Sequence, residues 1–180
     1  MTQPPAEFMN KYRRQFSEIL ASHTDGPYDV ENREFVEDIA SALYERYDDL
    51  PPIADWPQSV RYFFACYDLN FQVGNGGWAQ AAYNVPDLFW IAAEAFDYFK
   101  LPAALDLCKT AISMLPEELK EQYTKGLDAT EDLQDVFDHF DDSVMEQLDE
   151  QTPDDFWVDA QLQRLVEENR AEFLAVDSMT

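Results

Sequence analysis

The stretch FQVGNGGWAQAAYN, residues 71–84, contains three of the chain's five glycines, at Gly74, Gly76 and Gly77. A phosphate-binding loop needs the pattern GxxxxGK followed by Ser or Thr, and a dinucleotide-binding fold needs GxGxxG after a strand. The stretch has neither spacing, and no strand pattern precedes it. We therefore interpret it as a junction between helices. Gly74 or Asn75 is expected to end the first helix in the left-handed conformation, and Gly76 and Gly77 let the next helix start.

Three residues after the glycines are expected to complete this junction. Trp78 is a large apolar side chain that would fill the corner between the two helices. Gln80 and Asn84 would hydrogen bond to backbone groups that the interrupted helix leaves without partners. The stretch is thus predicted to have a structural role and no chemistry of its own.

The sequence around this junction repeats apolar residues every three or four positions, and long period-2 alternation is absent. This periodicity predicts an all-α fold of roughly eight helices. At 180 residues the chain is expected to form one compact domain, residues 1–180, without a disulfide or a metal ion. The first predicted helix covers residues 5–22, the second carries Phe35, Ile39, Leu43 and Tyr47 on one face, and the third is a core helix from Pro57 to the glycines. The remaining predicted helices are residues 79–84, 86–99 and 102–114, a helix that begins at Pro116, and residues 130–148 and 153–175.

The composition is strongly acidic, with 37 acids against 12 bases and a formal net charge of −25. Such a charge disfavours direct binding to nucleic acid or to an anionic membrane, and it favours a basic protein partner. Cys66 and Cys108 each lie inside an apolar helical pattern, which is typical of buried thiols in a reducing compartment. With no signal peptide and no long apolar run, a cytoplasmic protein is expected.

Between Lys125 and Arg164 the sequence contains thirteen acids and no lysine or arginine. At about 100° per residue, six of these carboxylates form one stripe on a helix, and two more lie on its flank. The stripe would span roughly 27 Å, over which one DNA strand presents about eight phosphates. The predicted partner-binding residues are Glu131, Asp135, Asp138, Asp142, Glu146 and Asp149 in the stripe, with Asp132 and Glu150 on the flank. The predicted buried residues opposite are Leu133, Val136, Phe137, Phe140, Val144 and Leu148.

Two features of the stripe leave alternatives open. A run of charge can simply be the solvated face of a helix, although the absence of lysine over 38 residues argues against that interpretation. Asp141, Asp142 and Ser143 are weak helix formers, so the helix can bend there and divide the stripe into two patches. A second acidic cluster, on the second predicted helix, could extend the surface; its members are Glu31, Glu34, Glu37 and Asp38.

The residues that catalysis or metal binding would require are scarce. The chain has two histidines, His23 and His139, and neither belongs to a Glu-x-x-His pair of the di-iron type. No calcium-loop pattern is present. We therefore expect no catalytic residue, no cofactor and no metal ion. The aromatic residues are expected to form the core; they are Trp56, Phe63, Phe64, Tyr67, Phe71, Trp90, Phe96 and Phe99.

Several segments resemble the bacterial DNA-mimic protein family. They are RYFFACYDLNFQVGNGGWAQAAYN, AAEAFDYFKLPAALDLCKTAISML and an acidic C-terminal region ending in LVEENRAEFL. The family signature, Asn-Gly-Gly-aromatic-x-Gln, is matched by Asn75, Gly76, Gly77, Trp78 and Gln80. The resemblance covers roughly residues 32–174 and leaves the helix and loop of residues 1–30 outside. It implies an α-helical fold, a homodimer and a role as an acidic decoy.

Together these observations favour a DNA-mimic interaction protein. It would bind a basic DNA-binding protein, such as a repressor or nucleoid protein, and compete with DNA. An immunity protein that neutralises a basic toxin such as a nuclease is an alternative in the same class. An enzyme or small-ligand binder with a pocket near Trp78, Gln80 and Asn84 is an alternative of another class, and a plain acidic scaffold is a further one.

Overall fold

Helices account for all the regular secondary structure in the described residues, and no strand occurs among them. The computed structural model describes residues 14–28, 30–124, 142–153 and 156–179. The predicted all-α class is therefore confirmed. None of the helices in these ranges is long and apolar enough to cross a membrane. The helices are α1 (Phe16–Ser22), α2 (Val30–Tyr44), α3 (Gln58–Asn84), α4 (Leu88–Tyr98), α5 (Pro102–Met114), α6 (Glu117–Thr124), α7 (Asp142–Asp149), α8 (Asp159–Glu168) and α9 (Arg170–Val176).

The chain forms two compact units, and each is described by itself. The first unit joins the chain up to Phe64 with the chain from Asp159 onward, and the second unit is Ala65–Val158. Helix α3 begins in the first unit and continues into the second. The prediction of one domain over residues 1–180 stays a prediction.

The first unit is built on apolar faces of α1, α2, α8 and α9. On α2, Phe35, Ile39 and Leu43 are buried, as predicted from their spacing. Tyr47 was predicted on the same face but lies outside α2, in the 3₁₀ turn Tyr47–Asp49, and is 44% exposed. Helix α2 ends at Tyr44, so the helical period does not reach Tyr47. Its ring instead stacks on Phe64, with the ring centroids 5.3 Å apart.

The buried Arg46 connects three parts of the first unit. It is 2% exposed, and its guanidinium donates to Ala42 O at 2.8 Å, to Arg14 O at 2.6 Å and to Asp177 Oδ1 at 3.3 Å. The guanidinium carbon also lies 5.1 Å from the centroid of the Phe16 ring. Asp177 Oδ1 accepts a second bond from the Phe16 backbone N–H at 3.3 Å. One cation therefore holds the start of α1, the end of α2 and the end of α9 together.

The second unit has an aromatic core. The rings of Trp78 and Phe89 pack edge to face at 5.7 Å, and Phe156 lies 5.1 Å from Trp78 and 5.5 Å from Phe96. Helix α5 has the predicted bounds because Pro102 occupies its first turn, where a missing N–H costs nothing. This core joins α3, α4 and the segment that follows α7.

Both cysteines are buried in the second unit, as predicted. Cys108 Sγ donates to Phe89 O at 3.3 Å, and burial raises the pKa of the Cys108 thiol to about 12. Burial, with a smaller contribution from Cys108, also raises the pKa of Cys66 well above its ordinary value. Both thiols are thus protonated at neutral pH, the unreactive form for a cysteine.

The region predicted as one helix over residues 153–175 is different in the structure. Helix α8 begins at Asp159, and Asn169, with φ −124° and ψ 31°, separates it from α9. Before α8, the Asn70 side chain donates to Phe156 O at 3.0 Å and accepts from Val158 N at 3.3 Å. The amide of Asn70 takes the place of helical partners, so this prediction was wrong for a reason that lies 86 residues away in sequence.

We expect Arg46→Met to lower the free energy of unfolding by about 3 kcal/mol, because the Asp177 carboxylate and the Arg14 carbonyl lose a buried charged donor. Urea unfolding followed by circular dichroism measures the change. Arg33→Met is the matched control: Arg33 pairs with Glu37 at 3.0 Å on the exposed surface of α2, and its loss is expected to cost less than about 0.5 kcal/mol. Equal losses in the two variants would contradict a connecting role for Arg46.

Candidate partner-binding surface

Helix α3 is interrupted at the two glycines where the sequence predicted a junction. Gly76 has φ −155° and ψ 20°, and Gly77 has φ 77° and ψ −175°. The left-handed residue is therefore Gly77, and the prediction of Gly74 or Asn75 in that role was wrong. The helix continues through Gly74 and Asn75, and the change of direction comes only at the pair of glycines. The backbone region of Gly77 is open to glycine almost alone.

Asp149 caps the part of α3 that begins after this break. A restarted helix has backbone N–H groups without partners, and Asp149 Oδ1 accepts from Trp78 N at 3.0 Å. The carboxylate lies so close that a Cβ at Gly77 would be 2.5 Å from Asp149 Oδ2. Gly77 is thus required by its conformation and also by the space that the carboxylate occupies.

Trp78 fills the corner, as predicted. Its side chain is fully buried, and its Nε1 donates to Thr152 Oγ1 at 3.0 Å. Gln80 and Asn84 were predicted to bind backbone groups, but their described bonds go to a side chain. Both amides donate to Gln72 Oε1, at 3.0 Å and 2.8 Å respectively. The polar residues of the stretch therefore link the two parts of α3 across the break.

Helix α7 separates apolar from acidic residues as the stripe prediction requires. Met145 and Leu148 are buried, whereas Glu146, Asp149 and Glu150 are exposed. Within the described part of the chain, no lysine or arginine pairs with these three carboxylates. The side chain of Asp142 is not described, and four predicted partner-binding residues lie outside the described residues: Glu131, Asp132, Asp135 and Asp138. A continuous stripe stays a prediction.

An open cleft lies between α7 and the second part of α3. Its volume is about 600 Å³. Tyr83, half exposed, adds an aromatic ring beside two of the predicted partner-binding carboxylates. Carboxylates next to an aromatic face suit a cationic side chain. The lining residues are Gly76, Ala79, Gln80, Tyr83, Glu146 and Asp149.

The second acidic cluster, on α2, is partly neutralised by arginines. Glu37 pairs with Arg33, and Asp38 pairs with Arg14. Glu34 is exposed, and the side chain of Glu31 is not described. The α2 cluster therefore offers less uncompensated negative charge than α7 does.

We expect Gly77→Ala to lower the free energy of unfolding by at least about 2 kcal/mol, because a side chain is strained at this φ and collides with Asp149. Gly74→Ala is the matched control. Its Cβ would meet only Trp157 ring carbons at 3.6 Å, an ordinary contact, and alanine favours a helix by about 1 kcal/mol over glycine. Thermal unfolding of both variants distinguishes these outcomes, and a stable Gly77→Ala would contradict the geometry of the break.

We expect Asp149→Ala to cost about 1 kcal/mol of folding free energy, since the Trp78 N–H loses its acceptor. Asp149→Asn should cost less because the amide oxygen can accept the same bond. Glu150→Ala, the exposed neighbour, serves as the control and should change the free energy by less than about 0.5 kcal/mol. Urea titrations measure all three, and a loss in Asp149→Ala no larger than in Glu150→Ala would rule out the capping role.

Comparison with known proteins identifies the family. The model of the family described as "DMP19-like protein" matches residues 54–169, more than half of the chain. This range includes the break in α3 and all of α7, and it is narrower than the predicted resemblance over residues 32–174. Comparisons with curated proteins and with solved structures each found no match. The chain therefore belongs to the DMP19-like protein family.

Proposed function

We propose that this protein binds a DNA-binding regulatory or nucleoid protein through the acidic surface of α7 and competes with DNA for it. The observation that carries the proposal is that α7 buries Met145 and Leu148 and presents Glu146 and Asp149 to solvent, with Glu150 exposed directly after the helix. The family takes its name from DNA mimic protein 19, which supports the same class of function.

The charge of the second unit supports a basic partner. Ala65–Val158 contains 20 acids and 4 lysines, so its formal net charge is −16. Carboxylates three or four positions apart on a helix are about 5–6 Å from one another, somewhat wider than the 3.4 Å per charge along one DNA strand. Lysines and arginines that bind phosphates would be steered to this surface over long range, and salt would weaken the encounter.

The cleft beside α7 adds a specific contact to this general attraction. A partner's arginine or lysine could enter between Glu146 and Asp149 with Tyr83 at its side. Asp149 already accepts one hydrogen bond from Trp78 N, but a carboxylate has four lone-pair sites and can take a further donor. Glu146 would make the larger contribution, because Asp149 is already committed to the fold.

The proposed mechanism is competition, with no bond made or broken, so the protein would not be an enzyme. A cytoplasmic location follows from a partner that works on DNA. We also propose a homodimer, as the resemblance implies, because two copies of the acidic surface could face a dimeric repressor. The predicted stripe residues Glu131, Asp132, Asp135, Asp138 and Asp142 would extend the surface towards the length of a DNA site.

Two other functions could use the same surface or the same cleft. An immunity protein would use the same acidic surface against a basic toxin such as a nuclease. A small-ligand binder would use the cleft near the α3 break, whose acidic lining favours a cationic ligand. Of the residues named for the predicted pocket near Trp78, Gln80 and Asn84, Gln80 lines this cleft and the buried Trp78 does not.

We expect affinity capture from a lysate of the source cell to retain one DNA-binding protein, and duplex DNA to release it. Glu146→Lys/Glu150→Lys should fail to capture it, since both changes reverse charge on the exposed face without touching the cap at Asp149. The matched control is Glu94→Lys/Asp106→Lys, which changes net charge equally at exposed positions of α4 and α5 and should capture as the wild type does.

Three results would contradict the proposal. Retention of many basic proteins by the wild type would indicate generic charge attraction. Equal weakening by the two double variants would show that net charge matters and α7 does not. Capture of a nuclease toxin that duplex DNA fails to displace would favour the immunity function.

A further inference from the structure

A cluster of metal-ligating side chains lies in the first unit. His23 and Asp25 follow α1, and Glu167 lies near the end of α8. One ligand atom from each residue falls within 4.8 Å of the others. His23 Nε2 and Glu167 Oε1 are already 2.8 Å apart, with both side chains mostly buried. An imidazole nitrogen and two carboxylates therefore converge on one point.

The carbonyl oxygen of a buried amide that contacts Glu167 has no donor among the described residues. Gln163 is 1% exposed, and its Nε2 donates to Glu167 Oε1 at 2.7 Å and to Gly26 O at 2.9 Å. Its Oε1 is buried and accepts no hydrogen bond from the described residues. Buried polar atoms are seldom left in this state, and this acceptor belongs to the same amide whose nitrogen contacts Glu167.

We propose that His23, Asp25 and Glu167 bind a divalent transition-metal ion of the zinc class, with a water molecule as fourth ligand that donates to Gln163 Oε1. One imidazole and two carboxylates form a donor set that zinc accepts, whereas magnesium and calcium prefer oxygen alone. Tetrahedral bonds of about 2.0–2.2 Å place donors roughly 3.3 Å apart. The present separations, from 2.8 Å between His23 and Glu167 to at most 4.8 Å within the set, bracket that spacing.

The surrounding contacts hold the three ligands in place. Arg170 donates to Asp25 Oδ1 and, at 2.9 Å, to Leu20 O, which leaves the second oxygen of Asp25 for the metal. The His23 ring stacks on Phe35 with centroids 3.7 Å apart and planes 5° from parallel. The Gln163 side chain orients Glu167 through the hydrogen bond from its Nε2 to Glu167 Oε1. Hydrogen bonds to the ligating carboxylates, as at Asp25 and Glu167, are what metal ligands usually have.

The consequence of this site would be structural. His23, in the loop after α1, and Glu167, on α8, are 144 residues apart in sequence. An ion bound by both would join the loop to the helix. An ion that binds the folded state alone stabilises it, because the unfolded chain cannot assemble the ligands. The proposal is independent of the acidic surface on α7.

Zinc titration of the full chain at neutral pH tests the proposal. The wild type should bind one zinc ion with a lower dissociation constant than any additional zinc ions. When the free zinc concentration is 100 times this dissociation constant, the melting temperature should rise by about 5–10 °C. EDTA should reverse the rise. His23→Gln should lose the tight zinc site and the zinc-dependent increase in melting temperature. His139→Gln, which changes the other histidine, should keep the site and the increase.

Glu167→Gln provides a second variant, with circular dichroism to check that each variant folds. Loss of the site in both His23→Gln and Glu167→Gln, at unchanged helix content, supports the proposal. Equal zinc binding by wild type and His23→Gln would overturn it and assign the binding to surface carboxylates. Magnesium that raises the melting temperature as much as zinc does would overturn it as well.

Discussion

The hydrogen bond from the Trp78 backbone N–H to the Asp149 carboxylate joins the end of α7 to the break in α3, the point at which the chain of the second unit changes direction. The chain changes direction at Gly77, and the helix that restarts there needs an acceptor at its first turn. Asp149 supplies it from the end of α7, and the tight approach excludes any side chain at Gly77. Because α7 is held at this point, Met145 and Leu148 face the core and Glu146 and Glu150 face solvent.

This bond also separates the acids of α7 by role. In sequence, Glu146, Asp149 and Glu150 are equivalent members of an acidic run, but Asp149 has a partner in the fold. A loss of binding after Asp149 is changed would mix a folding effect with a binding effect, whereas Glu146 and Glu150 report on binding alone. The carboxylates of an acidic surface thus have different roles, even in a chain with 37 acids.

The features that could be predicted from sequence depend on local rules. The bounds of α5 follow from Pro102, the break in α3 from two adjacent glycines, and the buried face of α2 from the spacing of Phe35, Ile39 and Leu43. Each rule acts within a few residues.

The features that sequence reasoning missed depend on distant partners. Asp149 and Trp78 are 71 residues apart, and nothing near either residue marks the pair. His23 and Glu167 are 144 residues apart, so nothing in the sequence marks the hydrogen bond between them. The start of α8 at Asp159 depends on Asn70, and a helix-forming sequence ahead of it is overridden by one side-chain amide. Tertiary contacts of this kind have no periodicity to detect.

The two units differ in which basic residues they contain. All seven arginines of the sequence fall in the ranges of the first unit, and among the described residues Arg14 pairs with Asp38, Arg33 with Glu37, Arg46 with Asp177 and Arg170 with Asp25.

The second unit has no arginine and only four lysines for 20 acids. Arginine forms the more directional ion pairs with carboxylates, so its absence removes that kind of internal pairing from this unit. The carboxylates of Ala65–Val158 therefore have few basic side chains within the same unit to pair with, and the family match over residues 54–169 covers the whole of this unit.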